Sequence, residues 1–213
     1  LIDGLLFFFF SFSLFQNMKT FPVFLITTLI LLGTLNERVE GSMKLVKLEE
    51  AAKREGAVCL DGSPAAYYIE KATLSENADK WVLYFQSGGW CYKPEDCLER
   101  SRTNLGSSRD LAATISPTGI LSGSAKENPD FCTWNRVVLT YCDGASFSGD
   151  AAAPAVVNGT ALYYRGHRNL LAVVADLRAR HGLGKATQVL LTGASAGGLA
   201  ALLHADEVRA LLP

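Results

Sequence analysis

The sequence predicts an α/β fold in which a parallel sheet carries helices on both faces. Three observations predict it. Continuous apolar runs at 81–85 (WVLYF), 136–141 (RVVLTY) and 188–192 (QVLLT) have strand length and lack a polar face, as strands covered on both sides do. Segments 168–181 and 196–212 carry apolar residues at helical spacing or an Ala/Leu-rich composition, and they flank the third run. The order strand, loop, strand, helix, strand, helix then calls for right-handed crossovers between parallel strands.

The chain has 213 residues, 49% of them hydrophobic and 19% charged, enough for one domain with a sizeable core and unlike a disordered composition. A net charge of −1 supplies no field to attract nucleic acid or anionic lipid, and no Lys/Arg cluster is interleaved with aromatics. The first 41 residues read as a leader. Two apolar runs there are separated by Met18-Lys19-Thr20, and the second passes into polar Asn36-Glu37-Arg38. Met18 is the expected start, with 1–17 upstream of it, and a signal peptide is expected to end near Gly41. A signal anchor is the alternative. Residues 42–213 are expected to form the folded part, secreted and not held stably at a membrane.

Lys44 to Lys53 is mixed and polar, a lead-in. Tyr67-Tyr68-Ile69 has strand character. The run at 81–85 ends in Ser87-Gly88-Gly89-Trp90, and 93–130 is rich in Gly, Ser, Pro and Asn, a long loop of the kind that is functional or pinned by disulfides. Leu170, Leu171, Val174 and Leu177 mark a helix over 168–181, stopped by Gly182. In an oxidising compartment the five cysteines would mostly be bridged. Cys91 and Cys97 suit a local bridge, and Cys59 and Cys142 are candidates to tie the first segment to a later strand. An odd count leaves either Cys132 or another thiol free, or a partner beyond Pro213. No CxxC or HxxxH spacing suggests zinc. Asn158-Gly159-Thr160 is a glycosylation sequon.

The chemistry concentrates at Gly193-Ala194-Ser195-Ala196-Gly197, a G-x-S-x-G nucleophile elbow between the third strand and the last helix. A strand that turns into a helix within two residues lifts the serine hydroxyl above the sheet, and small residues two before and two after it let the backbones nearly touch. The string alone arises by chance in about one chain in ten of this composition, so its strand–turn–helix setting carries the weight. A phosphate-binding turn is the competing reading, but G-x-G-x-x-G and the P-loop lysine are both missing. The glycine pair before Trp90 follows an earlier strand, where such enzymes place the second oxyanion donor. The expected roles are Ser195 as nucleophile and the N–H groups of Gly89, Trp90 and Ala196 as the oxyanion hole, with no metal or organic cofactor. His204 is expected on the helix surface, His181 at a helix end and His167 in a loop. Asp206 and Glu207 are expected as helix-surface charges, and Asp143 and Asp150 as turn or substrate-loop residues.

Gly88–Cys91, RSRTNLGSS (100–108), TGILS (118–122), ENPDF and WNRV (127–137), YCDGASFSGD (141–150), LYYRG (162–166) and the run from Gly193 to Pro213 together resemble the pectin acetylesterase family, plant type. The animal carboxylesterase Notum belongs to the same superfamily. The resemblance implies an α/β-hydrolase fold, secretion to the cell wall, and hydrolysis of acetyl esters on pectin (homogalacturonan). It departs from the family at Ala194, where plant relatives often have Cys, and at Cys132, where an aromatic is more usual. The family's acid and base follow the serine in the order Ser, Asp, His, which places both beyond Pro213. The 213 residues alone are therefore expected to lack two triad members and to be inactive as written. A non-catalytic carbohydrate-binding or interaction fragment, and a lipid-ester carboxylesterase like Notum, remain the alternative readings.

Overall fold

The computed structural model describes residues 41–213, so the expected leader and its cleavage point lie outside the described residues. The strands are β1 (Met43–Lys47), β2 (Ala66–Glu70), β3 (Lys80–Phe85), β4 (Thr114–Ile115), β5 (Asn135–Leu139), β6 (Ala155–Val157), β7 (Thr160–Leu162) and β8 (Gln188–Gly193). The helices are α1 (Glu49–Glu55), α2 (Pro94–Arg100), α3 (Gly166–Asp176), α4 (Ala196–Leu203) and α5 (Ala205–Leu211). Six strands form one sheet in the order β4-β1-β2-β5-β3-β8. β3 runs parallel to both β5 and β8, and these are the three apolar runs of the sequence. The other half, β4-β1-β2 and the β2-β5 pair, is antiparallel, so the α/β sheet is mixed.

Side-chain alternation explains the two cores. Trp81, Leu83 and Phe85 of β3 point to one face, with Tyr67, Ile69, Val137 and Leu139 from its neighbours. There they meet Leu170, Val173, Val174 and Leu177 of α3 and its continuation, and Ala196, Ala200 and Val208 of α4 and α5. Each such Leu or Val contributes about 1.5–3 kcal/mol by leaving water. Val82 and Val138 point to the opposite face and pack with Tyr68, Met43 and Leu121. That second face is covered mainly by the irregular segment 111–134, through Leu111, Ile120, Phe131 and Trp134, where the sequence suggests a helix layer. The β3-to-β5 and β5-to-β8 connections run in opposite lateral directions. They cover opposite faces and so share one hand, as parallel crossovers do.

The lead-in is ordered after all: β1 pairs with β2 and β4, and α1 follows it. The long loop contains α2, whose Cys97 and Leu98 pack on Leu162 and Val157 of the β6-β7 hairpin. The last helix is two helices, broken at His204. Cys59–Cys142 and Cys91–Cys97 are bonded, and Cys132 is a free, buried thiol. Asn158 lies exposed at the hairpin turn with φ +48°, followed by Gly159 at +77°, a pair suited to a tight two-residue turn. On the second face, Arg136 and Glu70 form a fully buried ion pair at 2.5 Å. Among the described residues no helix is long and apolar enough to cross a membrane.

Candidate active site

β8 ends where Gly193 pairs with Phe85, the last residue of β3. The chain then reverses into α4 through Ala194 and Ser195. Ser195 caps the helix with φ +49° and ψ −120°, a conformation that side chains disfavour and that costs about 1–3 kcal/mol. Its side chain is exposed, while Ala196 and Gly197 beneath it are buried. The glycines of the elbow are there for room. A Cβ on Gly197 would sit 2.1 Å from the Phe85 carbonyl oxygen, and one on Gly193 would sit 2.4 Å from the Gly197 carbonyl oxygen. Helix and strand backbones are therefore in contact, which holds the α4 N-terminus over the carboxyl end of β3.

The loop after β3 uses its two glycines differently. Gly88 is a matter of space, since a Cβ would meet Leu105 and Tyr141 at 2.7 Å. Gly89 has open space around it but a φ of +65°, where glycine alone is unstrained. Trp90 is 48% exposed, and its indole edge is held.

What holds it is the segment after β5. Tyr141 N–H donates to Gln86 Oε1 at 2.9 Å, and its hydroxyl donates to the Gly89 carbonyl at 2.6 Å. Cys91 N–H donates to the Gly144 carbonyl at 3.0 Å. Trp90 Nε1–H donates to Ser146 Oγ at 2.7 Å, and that same hydroxyl donates to the Ala196 carbonyl at 2.7 Å. The glycine loop and the elbow, distant in sequence, thus meet on one serine. Burial pushes the Tyr141 phenol up, so it remains a neutral hydroxyl that both donates and accepts.

Asp143 shapes this segment. Its Oδ2 accepts from Ala145 N–H at 3.2 Å and Phe147 N–H at 2.9 Å, which bends the chain into left-handed conformations at Ser146 (φ +51°) and Phe147 (φ +60°). Burial pushes the Asp143 carboxyl up to about 6, against the pull of those N–H groups and of Arg100. The Arg100 guanidinium lies 5.0 Å over the Tyr141 ring and donates through Nε to the Leu105 carbonyl.

Among the described residues, none of the chain's three histidines is hydrogen-bonded to Ser195. His204 is buried, not on the surface as its helical setting suggests. At 7% exposure it occupies the α4–α5 break, tilted against Phe85, with Nε2–H donating to the Ser146 carbonyl at 3.0 Å. His167 bonds Glu207 at 2.8 Å and stacks on His204. His181 lies 3.9 Å from Asp176. Asp150 pairs with Arg168. Ser146 and Tyr141 were not legible as site residues. The only signal was that YCDGASFSGD is dense in turn formers directly after a buried strand.

The sequence has relatives among known proteins. Residues 36–213 match the family model described as Pectinacetylesterase. Pectin acetylesterase 7 of Arabidopsis thaliana is 40% identical over 189 residues, 89% of this chain and 46% of that protein. Pectin acetylesterase 11 of the same plant is 43% identical over 165 residues, 77% of this chain and 41% of that protein. Palmitoleoyl-protein carboxylesterase NOTUM of Homo sapiens is 39% identical over 152 residues, 70% of this chain and 29% of that protein. The chain spans less than half the length of the curated relatives it matches. On the family match and these identities, the chain belongs to the pectinacetylesterase family.

Proposed function

We propose that this chain carries the nucleophile and oxyanion hole of a serine esterase that removes acetyl groups from pectin. The observation that carries the reading is the pairing of two features: Ser195 exposed at a strained strand-to-helix turn, and a glycine loop tied to that turn's first helical residue through Ser146. Ser195 Oγ would attack the acetyl carbonyl and pass its proton to a histidine. The amides of Gly89, Trp90 and Ala196 would hold the oxyanion until the pectin hydroxyl leaves. Water then attacks the acetyl-enzyme by the same route and releases acetate. Among the described residues, none of the chain's three histidines is hydrogen-bonded to Ser195, and the family order Ser, Asp, His would place the carboxylate and the base after the serine in the chain.

The substrate follows from kinship: the plant relatives are named pectin acetylesterases. Two disulfides fit an extracellular protein. Secretion to the cell wall, and glycosylation at the exposed Asn158, complete the proposal. The test is acetate release by the full-length gene product from acetylated homogalacturonan, beside a palmitoleoylated peptide. Acetate release that is lost in Ser195→Ala supports the reading. Cleavage of the palmitoleoyl ester alone would move the protein to the NOTUM-like activity, and inertness toward both would remove the esterase reading.

A further inference from the structure

Ser146 is a fully buried residue whose every polar group is engaged, in a backbone conformation that serine rarely adopts. Its N–H donates to the Tyr141 hydroxyl at 3.1 Å, and its carbonyl accepts from His204 Nε2–H at 3.0 Å. Its hydroxyl accepts from the Trp90 indole and donates to the Ala196 carbonyl. A serine hydroxyl has one proton to give, and here it goes to the elbow, which leaves the lone pairs for the indole. The Tyr141 hydroxyl repeats the pattern one step away: it accepts from Ser146 and donates to the Gly89 carbonyl.

Both residues of the glycine loop that carry expected oxyanion donors are therefore oriented from behind, Gly89 through its carbonyl and Trp90 through its ring. Both tethers converge on Ser146, whose other bond fixes Ala196, the residue carrying the third donor. A left-handed conformation at a buried non-glycine residue persists only where the surroundings over-determine it. Here the Asp143 carboxylate, Tyr141, His204, Trp90 and Ala196 do so.

We propose that Ser146 is a positioning residue that sets the separation between the two halves of the oxyanion hole, acting through Trp90 and Ala196, with Tyr141 as its relay to Gly89. It touches no substrate. The proposal rests on the esterase reading and adds to it a residue outside the elbow and the glycine loop. An oxyanion donor acts only from its set position, so losing one costs about 10²–10³ in rate, and misplacing donors without losing them costs somewhat less.

The experiment uses the full-length gene product with p-nitrophenyl acetate and with methyl trifluoromethyl ketone, which forms a tetrahedral oxyanion adduct. In Ser146→Ala the expected result is a kcat about 10–100-fold lower, a KM within about twofold, and trifluoromethyl ketone affinity weakened by the same factor as kcat. A purely structural role would lower the melting temperature and leave kcat per folded molecule and adduct affinity unchanged. Trp90→Phe keeps an aromatic ring at a half-exposed position but removes the N–H that Ser146 accepts, so it serves if Ser146→Ala does not fold. A smaller kcat loss than in Ser146→Ala is expected, because the bond from Ser146 to Ala196 remains, and combining the two substitutions should add nothing to the Ser146→Ala loss. An active wild type with kcat unchanged in Ser146→Ala or in Trp90→Phe would overturn the positioning role and leave the esterase reading intact. A wild type without turnover, and without a ketone adduct, would overturn both.

Discussion

Gly197 is where the elbow is least forgiving. A methyl group there would lie 2.1 Å from the Phe85 carbonyl oxygen and 2.8 Å from that of Gln86. β3 cannot retreat, because it is hydrogen-bonded between β5 and β8 along its whole length. α4 must therefore move out by about 1 Å to restore ordinary contact. Overpacking of this kind costs about 2–3 kcal/mol, which lowers the melting temperature by about 5–10 °C in a chain of this size. Ser195 and the Ala196 N–H ride on the displaced end, so the rate should fall by about 100-fold. The assay is differential scanning calorimetry of Gly197→Ala together with p-nitrophenyl acetate hydrolysis by the full-length protein. A variant that keeps both its melting temperature and its rate would refute the claim that strand and helix touch at this point.

Further outcomes follow from the same structure. Ser195→Gly relieves a φ of +49°, so it should raise stability by about 1 kcal/mol in urea titration while abolishing ester cleavage. A loss of stability would show that Ser195 is not strained. Selective removal of Cys59–Cys142, which spans 83 residues of sequence, should cost about 4–5 kcal/mol, against about 2–3 for the short Cys91–Cys97 loop. Equal losses in Cys-to-Ala pairs would contradict the assignment of the long bridge as the main staple. The Asp143 carboxyl, raised from its ordinary 3.8 to about 6, keeps its proton longer in the folded than in the unfolded chain. The folded state thus binds the extra proton between those values, and stability contributed by this group falls as pH rises from about 4 to about 6, by about 3 kcal/mol at most. Asp143→Asn should flatten the melting temperature over that range. An unchanged slope would assign the pH dependence elsewhere.

The parts of this fold that were legible share a local cause. β3, β5 and β8 are covered on both faces, so their apolar runs stand out, and the elbow is a five-residue string whose glycines answer to contacts within the same turn. β1 was not legible because Lys44 and Lys47 break its apolar pattern, as expected for a partly exposed antiparallel strand outside the parallel half. The break at His204 was hidden because Ala and Leu continue on both sides of it. The histidine turns inward to bond a carbonyl 58 residues away in sequence. Ser146 was out of reach for the same reason. Its partners Trp90 and Ala196 lie 56 and 50 residues away, and nothing in ASFS marks a left-handed serine. Of the two disulfides, only Cys91–Cys97 closes a loop short enough for spacing to suggest it, whereas Cys59–Cys142 depends on long-range packing that spacing does not fix. Among the described residues the second face is covered mainly by an irregular segment, where Asn128 and Arg136 tie the β3-to-β5 crossover to the carbonyls of 120–122.

In the proposed reaction Ser195 Oγ is a nucleophile held opposite a formed oxyanion hole. The direct measurement is reaction of the folded full-length protein with a fluorophosphonate, followed by mass spectrometry of its peptides. A single phosphonyl adduct is expected on the peptide carrying Ser195, formed when the folded protein is treated and not formed when the protein is denatured before the reagent is added. An adduct on another residue, or none on a folded protein that still releases acetate, would contradict it.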